Sequence, residues 1–398
     1  MRQGCADPVA ARAPRSPRAG EPGGAVACDR RDTGPMSTTP PTPDLLTAAR
    51  SRGATRERAR EAIGLQISIF AFILAALVAL PVFGLRSAPI SGPDSLGQFV
   101  ALMSAVTAIV VFVLGRIIAA DPAREKRLGV LDIIDIAAFA FAHAMIALLG
   151  WTLAATIMEQ GLLGAVVYPI PVLMLAGAAA ALTAYVTYYS ATHLDLQLLA
   201  TVLAVFLVLG VLASMLTASD PQWWKENLSA LGMTDDLSAR AFNLTLIVAG
   251  ILVTTLARYA TRGIPTTHPR GVVAVRTCLV IVGIFLGLVG VFPVDQHFAL
   301  HTGVASGMVV AYAVLVVAIR RWIPGVSRTF VILGYVFILL ILLLSVFFAV
   351  GYYTLTAVEL VAGTVVFSWI ILFIRTADAL KRDAEREASD GGTRRKSP

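Results

Sequence analysis

Ten apolar runs organise the chain, at about residues 63–85, 98–119, 131–157, 166–190, 196–217, 240–259, 272–292, 299–319, 330–350 and 356–375. Each approaches or exceeds 20 residues with few charges, enough for a helix to cross a hydrocarbon core roughly 30 Å thick. A membrane β-barrel would instead alternate apolar and polar positions over segments of about ten residues. The pattern predicts an all-α, polytopic membrane protein with ten transmembrane helices. Pro81, Pro169 and Pro171 interrupt or begin runs, which such helices tolerate when neighbours satisfy the freed carbonyls. Glycines four apart, Gly283 with Gly287 and Gly303 with Gly307, would let helices approach closely.

The polar stretches divide the runs. Residues 1–62 are rich in Arg, Pro, Gly and Ala without apolar periodicity, and read as a disordered leader. Inside it, Met36 opens MSTTPPTPDLLTAARSRG, which reads as a natural start, with 1–35 as an upstream extension. The expected organisation is a leader (1–62), a four-helix N-terminal bundle (63–190), a six-helix C-terminal domain (196–375) and a charged tail (376–398).

Charge then orients the spans. With alternate polar segments assigned to one side, that side holds 23 Lys and Arg residues, and the other only Arg86, Lys225 and Arg240. Basic residues accumulate in cytoplasmic segments. Both termini are therefore expected in the cytoplasm, and the protein in the cytoplasmic membrane. The net charge of +7 follows from this distribution and does not call for a nucleic-acid partner; the expected partners are membrane lipids. Composition agrees, at 57% hydrophobic and 14% charged against the 45–50% and about 25% usual in soluble domains. Cys5, Cys28 and Cys278 form no paired framework.

Candidate chemistry gathers in the outer segments of the last six spans. GVFPVDQHFALHTG (290–303) places Asp295, His297 and His301 within seven residues. His297 and His301 share a helix face, and with Asp295 could supply three zinc ligands. The same residues also fit a metal-free arrangement. Asp295 would cap the eighth span, and His301, one turn deeper, would need a polar partner or act as acid or base. Glu359 is a candidate general base, although Thr356-x-x-Glu359 also has the form of a capping box. Trp224, Leu228 and Leu231, spaced i, i+4, i+7 beside Trp223, predict a short interfacial helix ended by Gly232. Asp235, Asp236 or Ser238 would then cap the sixth span. Asp132 and His143 share a face of the third span with Asp135 nearby, as a proton relay or as carboxylates favoured at a helix start. No Walker A, GxSxG or HExxH pattern occurs, and the cofactor is left undefined.

ENLSALG (226–232) and GVFPVDQHFALHT (290–302) resemble a six-helix bacterial membrane family classed as a domain of unknown function. That family is similar to the eukaryotic damage-regulated autophagy modulators and the Frag/Sfk proteins. The resemblance covers 196–375 and places Asn227, Ser229, Gly232, Phe292, Pro293, Asp295 and His301 on the family pattern. Ala230 departs from it, where an acidic residue often follows the serine. Some eukaryotic relatives are linked to lipid remodelling of glycolipid anchors, which is compatible with a polar pocket on the outer face.

The expected function is to act on or sense lipid or envelope components at the outer leaflet. One alternative is a lipid-modifying enzyme using His301 with Asp295 or Glu359, with Asn227, Ser229, Trp223 and Trp224 as binding residues. A transporter, or a non-catalytic scaffold or sensor, are the others. If the outer loops converge, His301 should reach Asn227, Ser229 or Glu359, and His297 should be more exposed.

Overall fold

The computed structural model describes residues 43–119, 129–265 and 268–394. Two compact units divide the chain between Arg56 and Glu57. In the first, residues 43–56 are helical; the packing and the sites described below belong to the second.

Ten α-helices follow in order among the described residues: α1 (Pro43–Phe83), α2 (Leu96–Ala119), α3 (Val130–Gly161), α4 (Pro169–Thr192), α5 (Leu196–Thr217), α6 (Leu237–Ala260), α7 (Pro269–Val291), α8 (Phe298–Trp322), α9 (Arg328–Ala349) and α10 (Leu355–Arg394). All ten hold a stretch long and apolar enough to cross a membrane, and the chain is a multi-pass membrane protein. The α1–α2 and α3–α4 connections pair through a two-residue antiparallel ladder, Ala88 with Val167 and Pro89 with Val166.

Two helices extend far beyond their apolar runs. α1 begins at Pro43, inside the stretch read as a disordered leader. Residues 43–62 carry Ala, Leu, Arg and Glu, strong helix formers, and an adjoining span supplies the nucleus that a short isolated helix lacks. The stretch 1–35 and Met36 lie outside the described residues. α10 likewise continues into the charged tail as far as Arg394, with Asp378 and Arg382 paired one turn apart.

Helix starts follow their local chemistry. Asp195 caps α5 by accepting from the Leu198 N–H at 2.7 Å. Asp236 caps α6 through the Ala239 N–H at 2.9 Å, and Ser327 caps α9 through the Phe330 N–H at 3.2 Å. Proline opens α4 and α7, where its missing N–H costs nothing.

The largest apolar core lies among α5–α10, around Phe206, Leu252, Leu279, Leu315 and Trp369, and Phe139 and Ala142 of α3 belong to it. α3 packs on α5 and α6 as well as on α2. At the basic end, buried Asp135 of α3 pairs with Arg258 of α6 and accepts from Thr255 Oγ1 at 3.0 Å. Smaller cores join α1, α2 and α4. α6 and α7 approach closely, and a Cβ on Gly250 would sit 2.4 Å from the Gly283 carbonyl oxygen. Glycine is required there because backbone meets backbone.

Candidate functional site

The end of the bundle opposite the basic one carries the α5–α6, α7–α8 and α9–α10 connections. The expectation of a short interfacial helix is corrected in the first of them. The chain forms two short 3-10 helices, Trp223–Lys225 and Leu228–Gly232, broken at Asn227, whose backbone is extended (φ −156°, ψ 164°). The break has a visible cause. An uninterrupted helix would direct the Leu228 N–H to a carbonyl one turn back, but here it donates to Glu359 Oε2 of α10 at 2.6 Å. Trp224 stays half exposed with the Lys225 ammonium 5.7 Å from its ring centroid, while Trp223 packs against the core.

The second 3-10 helix is held from several sides. Ser238 Oγ, near the start of α6, donates to the Ser214 carbonyl at 2.8 Å and approaches that of Leu231 at 3.4 Å. Asn243 Nδ2, two turns into α6, donates to the Gly232 carbonyl at 3.0 Å. A Cβ on Gly232 would fall 2.4 Å from Asn243 Oδ1. Neither Ser238 nor Asn243 was expected to touch this loop. An amide placed inside the apolar run of α6 is the signal that could have found Asn243, since polar groups at membrane depth need partners.

His301 completes the arrangement. It lies one turn into α8 and is 6% exposed. Its Nδ1 lies 2.7 Å from the Phe292 carbonyl oxygen at the end of α7, and its Nε2 lies 3.1 Å from Ser229 Oγ. A carbonyl oxygen only accepts, so Nδ1 carries the proton and the Ser229 hydroxyl donates to Nε2. Three connections therefore meet at residues 228 and 229, and this end of the bundle brings together Ser229, His301 and Glu359. Asn227 Oδ1 and Thr356 Oγ1 are buried there without a hydrogen-bond partner among the described residues.

Several sequence expectations change. Asp295 does not cap α8. It lies in an exposed turn closed by the His297 N–H on the Pro293 carbonyl at 3.0 Å, so the helix starts three residues later and His297 occupies its N-cap without a side-chain bond. His297 is exposed and meets Phe292 edge-on at 5.5 Å. With both His301 nitrogens engaged elsewhere, Asp295, His297 and His301 do not form a ligand set, and among the described residues no three His, Cys, Asp or Glu side chains do. Thr356 and Glu359 do not form a capping box. Thr354 takes the Ala357 N–H at 3.4 Å, and Glu359 reaches across to the α5–α6 loop instead. Neither Asp295 nor Glu359 hydrogen-bonds His301. On α3, Asp132 accepts from the Gly129 N–H at 3.1 Å. His143 meets the Phe139 carbonyl and Ser190 Oγ, each at 2.7 Å. With Asp135 on Arg258, the relay is not assembled.

Outside the spans, Asp236 is strongly held as the anion. Hydrogen bonds from Ser219 and Thr234 lower its carboxyl well below the ordinary carboxylate range, outweighing a slight opposing effect of burial, and the Ala239 N–H adds to them. Thr234 Oγ1 donates to it at 2.6 Å and the Ser219 N–H at 3.3 Å. The carboxylate thus ties the start of the α5–α6 connection to its end.

No curated protein and no solved structure matches the chain. Residues 198–376, from the first turn of α5 into α10, match the family model described as "Protein of unknown function (DUF998)".

Proposed function

We propose that this protein acts on an ester of a lipid or lipid-linked envelope component at the outer leaflet, with Ser229 as nucleophile and His301 as its base. The observation that carries the reading is the Ser229–His301 hydrogen bond, with Phe292 fixing the imidazole tautomer from behind. A hydroxyl becomes a useful nucleophile when an adjacent base takes its proton, and the base serves best when a third group orients it. In the first half-reaction Ser229 Oγ bonds to the acyl carbon, its proton passes to His301 Nε2, and the ester C–O bond breaks. The leaving alcohol takes that proton. Water then attacks the acyl-serine, gives a proton to Nε2 and releases the carboxylic acid, returning the proton to Ser229.

The placement on the outer side rests on the basic residues of the opposite end. The lipid class rests on the membrane setting and on the wider resemblance to relatives linked with glycolipid-anchor remodelling. Trp223 and Trp224 would meet the headgroup region, where indoles settle. Glu359 holds the nucleophile's loop through Leu228 and is a positioning residue.

A second reading treats the Ser229–His301 bond as a structural pin in a sensor or scaffold. The number of other bonds that fix the same loop favours it. A fluorophosphonate probe separates the two on protein in detergent micelles. Covalent labelling at Ser229, lost in His301→Ala and in Ser229→Ala, is expected of the enzyme. Folded wild-type protein that stays unlabelled would leave the pin.

A further inference from the structure

The four helices before the family match carry a feature that the Ser229 site does not use. α4 packs on α2, with Phe72 of α1 against Gly177, and α3 packs on α2 and α5. Between α3 and α4 a cleft of about 470 Å³ remains, in the range of small-molecule pockets. Leu96, Gly97 and Val100 of α2 line it together with Ala154 of α3 and Ala178 of α4, and Ile90 and Val166 line it at the ladder. Trp151 lines both this cleft and a smaller one deeper between the same helices. Its Nε1–H is spent on Thr183 Oγ1 at 3.0 Å.

We propose that this cleft binds one hydrocarbon chain of a membrane lipid from the leaflet on the ladder side. Four observations point to that occupant. The lining side chains are apolar except for Tyr168 and the already bonded Trp151, so water or a headgroup would lose hydrogen bonds on entering. Met158, Leu175 and Leu182 on the rims are about half exposed, which in a bilayer means that they face lipid.

The length also fits. Trp151 to Leu162 spans about 16 Å and Tyr168 to Leu182 about 21 Å at 1.5 Å per residue, against roughly 15 Å for one leaflet of the core. Finally, the Trp151–Thr183 and His143–Ser190 hydrogen bonds tie α3 to α4 and keep them from spreading to admit a helix, which needs about 10 Å. An empty slot of this size would forfeit dispersion contacts along its lining. The site is independent of the Ser229 reading.

The test uses the full chain in phosphatidylcholine vesicles containing a trace of phosphatidylcholine with a diazirine on one acyl chain. After photolysis, adducts mapped by mass spectrometry should concentrate on the 154–158 and 175–182 segments. The expected enrichment is about tenfold over the lipid-facing Leu339 and Leu342 of α9, equivalent to ~1.4 kcal/mol of preference. Ala154→Phe and Ala178→Phe should each abolish the enrichment and leave the α9 adducts unchanged. Ala178 is exposed, so its variant carries the test should Ala154→Phe fail to fold. Uniform labelling of cleft and α9, or enrichment that survives both fillings, overturns the proposal.

Discussion

At the scale of residues, two histidines four positions apart have opposite environments. His301 is buried and bonded at both nitrogens, whereas His297 is exposed and only brushes Phe292. His301→Ala leaves the Phe292 carbonyl and the Ser229 hydroxyl short of a partner, a loss of about 1–3 kcal/mol. His297→Ala should stay within about 0.5 kcal/mol, as surface substitutions usually do. Thermal unfolding of the two variants in detergent should therefore separate them clearly, and equal melting would contradict the burial of His301. Depth alone made this contrast legible in the sequence, since a histidine one turn inside a span needs a partner. The Phe292 carbonyl that orients the ring was not legible, because a backbone group carries no signature of its own. Glu359 was misread for a related reason. A glutamate three residues after a threonine looks like a local cap, and only the arrival of the α5–α6 loop gives it the Leu228 N–H instead.

At the scale of elements, the spans were legible because bilayer thickness sets their length. The connections were not, because long-range bonds override local periodicity there. Trp224, Leu228 and Leu231 keep helical spacing, yet the chain breaks between them. The far end of the same connection depends on Asp236, whose charged form is bound by Ser219, Thr234 and Ala239. A carboxyl depressed on folding contributes stability that is complete above its unfolded pKa, about 3.9, and is lost as pH falls through the folded value. Amide exchange at Ala239 should thus stay protected from neutrality down to about pH 4, the unfolded pKa, and open only in stronger acid. Asp236→Asn should remove that acid dependence. Protection that already fails between pH 7 and 5 would show that another group controls this loop.

At the scale of the whole molecule, the proposal that the site end faces outward rests on the distribution of basic residues. A periplasmic-type reporter fused after Leu228 should be active and one fused after Pro324 inactive; the reverse pattern would invert the assignment and move Ser229 to the cytoplasmic leaflet. The bundle also holds one bond that bears on how such a protein can be divided. The family match begins at residue 198, as though the chain were a cassette with four helices added in front. Asp135 of α3, only 6% exposed, nevertheless shares its charge with Arg258 of α6. Parting a pair of this kind strands each charge without its counterion, which costs more than the pair ever contributed. Neither half is therefore electrically complete, and the point where the family match begins is not a place where the molecule comes apart.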